Sequence, residues 1–187
     1  MLRTGGSRNL LGLLARWWSQ LNPLLRFGLK FCFLLGLYYA LSVTPWSDRP
    51  LSVCLSANAR VCNWVLVGLG QKSHVTGSTI SGPAVSLTVQ RGCDALDSLW
   101  LLCAGMLAYP VSWRSKTIGI LLGVAAIVFI NIVRILSLYA VMLKAPALFE
   151  TIHIEIWPIA FVILAGLLWI VWIRWALKNE DRRHATT

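Results

Sequence analysis

The 187-residue sequence predicts an all-α integral membrane protein, with about four transmembrane helices, amphipathic helices and a small extracytoplasmic β-hairpin. Three observations predict it. The chain is 57% hydrophobic and 13% charged, with a mean hydropathy of +0.69, whereas soluble domains carry about 25% charged residues. Apolar runs of membrane-spanning length recur along it. A single stretch, 73–91, exchanges helical periodicity for β alternation. At this length one membrane domain over 1–187 is expected.

The elements follow in order. Within residues 1–22, Leu10, Leu14, Trp17 and Leu21 recur at helical spacing, with Arg8, Arg16 and Gln20 elsewhere. That pattern predicts a cytoplasmic amphipathic helix lying in the interface. The first span covers 25–43 and is closed by Pro45. Ala40-Leu41-Ser42 faintly resembles a signal-peptidase site, but the apolar stretch is too long for a signal sequence and the basic leader too extended, so an uncleaved anchor is expected. Residues 50–70 carry Asn58, Arg60 and Asn63 mid-segment, which favours a surface or half-buried helix over a span. In 73–91, Val85, Leu87 and Val89 alternate with Ser86, Thr88 and Gln90, and Gly82-Pro83 interrupts the run. That is a β-hairpin signal. Three more spans are expected over 94–110, 117–142 and 156–174, the first two joined by the tight turn PVSWRSK. A polar cytoplasmic tail, 175–187, ends the chain.

Charge sets the orientation. A formal charge of +10 in a hydrophobic chain points to topology signals rather than to a nucleic-acid partner. With four spans, the N-terminus, the 110–116 turn and the tail share one side, and that side holds eleven Lys and Arg against six on the other. Both termini are therefore expected in the cytoplasm. Five cysteines, Cys32, Cys54, Cys62, Cys93 and Cys103, form no CxxC pair. The pattern is neither a disulfide framework nor a zinc signature, and no metal or cofactor is indicated.

The run IVFINIVRILSLY, residues 127–139, places Asn131 and Arg134 inside an apolar helix, where a guanidinium is costly. Helical rise gives it company. Cys93 is 17 residues before Pro110, and Arg134 is 18 residues after Lys116. Each therefore stands about 26 Å above the turn. His153 lies 21 residues before Arg174 and reaches a similar level. A thiol, a guanidinium and an imidazole thus share one layer at the outer membrane boundary. A thiolate is the nucleophilic form of cysteine, favoured by a helix N-terminus and by cationic neighbours. An imidazole can move the proton, and a guanidinium can donate to an oxyanion. Asn131 shares the face of Arg134 and can orient it or bind a substrate backbone. Asp94 and Glu155 are candidate partners for His153 or Arg134. Taken singly, each residue also has a structural use: a small buried cysteine, a snorkelling arginine, a solvated interfacial histidine.

The segments VQRGCDALDSLWLL, NIVRILSLYAV and FETIHIEIW stand in the order and spacing of the exosortase/archaeosortase family, which the chain resembles over about 75–175. Within that family it is most similar to the exosortase H type. The resemblance implies a membrane-embedded cysteine transpeptidase working on the extracytoplasmic side. Its substrates would be secreted proteins with a C-terminal motif, a membrane helix and a basic cluster. Mapped onto this chain, Cys93 would attack the scissile carbonyl, Arg134 would stabilise the oxyanion and His153 would serve as acid and base. Asn131 matches the Asn of the family's Asn-x-x-Arg motif. One departure stands out: the family usually has glycine two residues after the cysteine, and here that residue is Ala95. Asp94, directly after the cysteine, would oppose thiolate formation. Two other functions fit the residues alone: an extracytoplasmic thiol-dependent acyltransferase or oxidoreductase, and a non-enzymatic membrane subunit that contacts lipids and partners.

Overall fold

The computed structural model describes residues 19–184 together with Gly12 and Arg16, leaving aside the side chains of Trp46 and His184. The amphipathic helix expected over 1–22 lies largely outside the described residues. The element order is α1 (Pro23–Ser42), α2 (Asp48–Gly68), β1 (His74–Thr76), β2 (Thr79–Ser81), β3 (Ser86–Thr88), α3 (Leu96–Ala108), α4 (Trp113–Lys144) and α5 (Trp157–His184). A 3-10 turn (Pro146–Leu148), one α turn (Phe149–Thr151) and a π-helical turn (Ile152–Ile156) lead from α4 into α5.

Local chemistry explains the helix starts. Asn22 caps α1 by accepting the Leu24 N–H at 3.0 Å, and Pro23 supplies the first helical φ. Ser112 precedes α4, and its hydroxyl pairs with that of Ser115 at 3.1 Å. α1 runs antiparallel to α3: the Tyr38 hydroxyl donates to Asp97 at 2.8 Å, the Trp100 indole donates to the Leu34 carbonyl at 3.0 Å, and the Phe27 ring meets Tyr109 lower down. α3 buries Leu102, Cys103, Ala104, Gly105, Met106 and Ala108 among its neighbours.

Four helices are long and apolar enough to cross a membrane: Pro23–Ser42, Asp48–Gly68, Trp113–Lys144 and Pro146–Arg183. The count agrees with the sequence, but by length and composition Asp48–Gly68 qualifies and the 13-residue Leu96–Ala108 is shorter than a full span. Both ends contribute: the Cys93–Ala95 turn delays the start of α3 to Leu96, and the helix closes at Ala108, ahead of Pro110. Its residues are nonetheless the most enclosed of any helix here, because α1, α4 and α5 surround them. α5 continues as one helix through the polar stretch to His184.

The 73–91 segment forms three short antiparallel strands in the order β1-β2-β3, one more than a hairpin. Ile80, Leu87 and Val89 face inward, while Thr79 pairs with Thr88 and Ser81 with Ser86 through their hydroxyls on the other face. Gly82 is required at its corner, since a Cβ there would collide with the Tyr139 hydroxyl.

Two apolar cores result. The first packs Ala59, Cys62 and Leu66 of α2 and the sheet against Ile135, Leu138 and Tyr139 of α4, and it includes Cys93. The second packs Leu102 and Met106 of α3, Ile127 of α4 and Phe161, Ala165 and Trp172 of α5, and it includes Ala95. The boundary between the two cores falls at Cys93–Ala95. The end of the molecule holding the sheet is called the thiol end below.

Candidate active site

The chain leaves the sheet through a tight turn in which the Cys93 N–H donates to the Gln90 carbonyl at 2.9 Å. Gly92 has φ +89°, and Ala95 has φ 57°, the sole positive value for a non-glycine among the described residues. That conformation costs an L-residue about 1–2 kcal/mol, and it explains physically why glycine suits this position in the family resembled. The Asp94 carboxylate accepts the Leu96 N–H at 3.2 Å and holds the turn at the mouth of α3.

The turn aims the thiol at two distant segments. Cys93 Sγ lies 3.5 Å from His153 Nε2 and 3.7 Å from Nδ1. Because the two nitrogens are almost equidistant, either tautomer can receive the proton. His153 sits on the π-helical turn, a local underwinding of a kind often found at functional positions. Its ring stacks on Phe149 at 5.5 Å. Arg134 Nη1 donates to the Gly92 carbonyl at 3.0 Å, and Nη2 lies 4.0 Å from Cys93 Sγ. The guanidinium also lies over the Phe161 ring at 5.5 Å. With only 4% of its surface exposed, Arg134 keeps its Nε–H without an acceptor. A buried orphan donor is expensive, so this N–H is available to an incoming oxygen.

The other expected residues divide. Asp94 flanks the thiol and borders a cavity of about 160 Å³ walled also by Gly92, Ser98, Arg134, Pro158 and Phe161. Asn131 is buried but turns toward α2, donating to Asn58 Oδ1 at 3.4 Å while its own Oδ1 has no partner. No Asn131–Arg134 hydrogen bond forms among the described residues. Glu155 is exposed, and no hydrogen bond or ion pair ties it to His153 or Arg134 among the described residues. Sequence reasoning overlooked Phe161, Trp157 and Ser137. Ser137 donates to the Arg134 carbonyl at 2.7 Å and accepts the Trp157 indole N–H at 3.2 Å. The available signal was the spacing His153, Trp157, Phe161, one helical face beginning at the imidazole.

To the opposing charges legible in the sequence the structure adds burial. Burial pushes the Cys93 thiol up, Arg134 and a hydrogen bond with the Gln90 backbone oppose this, and Asp94 adds to the rise. Burial likewise raises the Asp94 carboxyl, against the Leu96 N–H it accepts. Burial thus opposes the thiolate form of Cys93, and His153 Nε2 lies within reach of the thiol. Cys32, Cys54, Cys62 and Cys103 are all free. Among the described residues no group of three His, Cys, Asp or Glu side chains could hold a metal ion.

A family model described as transmembrane exosortase matches residues 10–170. The chain belongs to the transmembrane exosortase family. This matches the exosortase H type suggested by the motifs. No curated protein and no solved structure matches the chain. Membership in the exosortase family suggests a membrane transpeptidase and implies substrates with C-terminal sorting signals. Together with the four apolar helices it makes the chain a multi-pass membrane protein.

Proposed function

We propose that this exosortase is a membrane-embedded cysteine protease and transpeptidase that cleaves the C-terminal sorting signals of secreted proteins through a thioester acyl-enzyme. The observation that carries the reading is the meeting of Cys93 Sγ with His153 Nε2 at 3.5 Å and Arg134 Nη2 at 4.0 Å, from three segments far apart in sequence. His153 takes the thiol proton, and the thiolate attacks the scissile carbonyl carbon. The electron pair of the carbonyl moves onto oxygen, where the free Nε–H and the Nη2 of Arg134 stabilise it. Collapse expels the amine of the downstream segment, which takes its proton from His153. The upstream protein remains as a thioester on Cys93 until a second nucleophile releases it.

The excess of Lys and Arg on the turn side supports an extracytoplasmic thiol in a bacterial inner membrane, with both termini cytoplasmic. α3 then serves as a short crossing element, with α2 packed beside the sheet. The test is co-expression in membranes of a tagged secreted reporter carrying a sorting signal with wild type, Cys93→Ala, Arg134→Ala and His153→Ala, followed by reporter mass. Wild type is expected to process the reporter and the Cys93→Ala variant to leave it intact. Equal processing by Cys93→Ala would sink the reading.

A further inference from the structure

Below the catalytic cavity an apolar groove of about 330 Å³ opens between α1 and α5, with α3 as its floor. Phe27 and Phe31 form one wall, Val162 and Trp169 the other, and Leu101 and Gly105 lie between. Its position fixes the kind of molecule it takes. Gly105 lies nine residues beyond Leu96, roughly 14 Å down the helix from the thiol turn. That depth lies within a hydrocarbon core of about 30 Å, and no charged side chain lines the groove. The groove also adjoins the site. Val162 borders both it and the 160 Å³ cavity that holds Arg134 and Asp94. At Gly166 the groove is open, since a Cβ there would meet nothing within 4 Å. Gly166 is the small residue that lets a helix backbone approach closely, since the Trp169 indole covers Gly105 and Ala165 is buried.

We infer that this α1–α5 groove receives the apolar membrane helix of the substrate laterally from the bilayer, so that the chain just outside that helix enters the Arg134 cavity and meets Cys93. This inference rests on the proposed transpeptidase reading and locates its substrate path. A chain that reaches the thiol through Val162 must have its neighbouring segment in the groove, and only an apolar segment is tolerated at that depth. A lipid acyl chain is the competing occupant.

The test uses the full-length enzyme in membranes, with a secreted reporter ending in an apolar helix and basic cluster taken from the same genome. Gly166→Trp fills the groove, whereas Val171→Trp adds the same bulk on an exposed face of α5 outside it. Gly166→Trp is expected to cut reporter cleavage about tenfold or more, through lost positioning. Val171→Trp should match wild type, and alkylation of Cys93 by iodoacetamide should be the same in all three. In a Cys93→Ala background, a photoreactive residue at 166 should cross-link the reporter, and one at 171 should not. Undiminished cleavage by Gly166→Trp, or capture of lipid alone at 166, would overturn the groove assignment even where Cys93→Ala abolishes cleavage. Cleavage by Cys93→Ala would instead defeat the transpeptidase reading, and the cross-link would still decide the groove.

Discussion

The two halves of the molecule are built by different rules. Around Leu102, Met106, Ile127 and Phe161 the second core is a regular helix bundle. Its polar contacts gather at its far end, where Ser112 and Ser115 donate to Glu180 and the Trp172 indole donates to the Ser115 carbonyl. The core at the thiol end combines a helix, three strands of three residues each and half of α4. Irregular backbone concentrates where the two meet: Gly92 and Ala95 at positive φ, and the π turn under His153. Of the buried side-chain atoms without partners among the described residues, Asn131 Oδ1 and Arg134 Nε lie there, and Asn63 Oδ1, Ser73 Oγ and Trp169 Nε1 lie elsewhere. Strained and unsatisfied groups persist where the surroundings over-determine them, and they cluster at functional sites. On the proposed reading, the bundle supports and the boundary carries the chemistry.

Changes at the boundary and in the bundle should therefore separate activity from stability. The largest effect is expected at Arg134. Arg134→Ala should lower reporter cleavage by about 10²–10³ with little change in thermal unfolding in detergent. Arg134→Lys should not restore it, because a lysine cannot hold the Gly92 carbonyl while presenting a second planar donor. Full activity in either variant would break the comparison. Gly119→Ala should do the reverse. Trp172 packs where that Cβ would stand, so the change should cost about 1–3 kcal/mol of stability while the folded fraction cleaves normally. Loss of activity without loss of stability would show that the bundle does more than support.

A third expectation concerns the thiol itself. Because burial raises Cys93 and Arg134 is the largest opposing influence, alkylation should accelerate with pH about a midpoint above that of an ordinary cysteine. Arg134→Ala should move that midpoint further up. A midpoint below the ordinary value would mean that the cations, not burial, dominate. Ala95→Gly should give the smallest effect, a gain of about 0.5–1 kcal/mol from relief of the left-handed conformation, read by thermal unfolding. A loss of stability there would show that the Ala95 methyl packs more favourably than its backbone is strained.

Much of this arrangement was legible in the sequence. Apolar run lengths gave four spans, though Asp48–Gly68 stands among the four long apolar helices in place of 94–110, and helical rise alone put Cys93, Arg134 and His153 at one depth. The alternation at Val85, Leu87 and Val89 marked the sheet, though β1 and β2 are too short to signal a third strand individually. The late start of α3 was not legible, because it depends on Ala95 adopting a conformation that its residue type disfavours. Asn131 was placed on the right helix, but its partner, Asn58, comes from a segment 73 residues away, beyond the reach of local periodicity. Glu155 shares its turn with His153, and the π winding carries it to the surface. The net direction of the Cys93 shift was not legible for a related reason: neighbouring charges can be counted in a sequence, but burial is a property of the fold.

The most direct test of the central claim is the mass of the enzyme after mixing with reporter and rapid quenching. The account predicts that Cys93 carries the upstream fragment of the reporter as a hydroxylamine-labile thioester, and that the adduct is absent in Cys93→Ala. Reporter cleavage without any adduct on Cys93, or with the adduct on another cysteine, would contradict it.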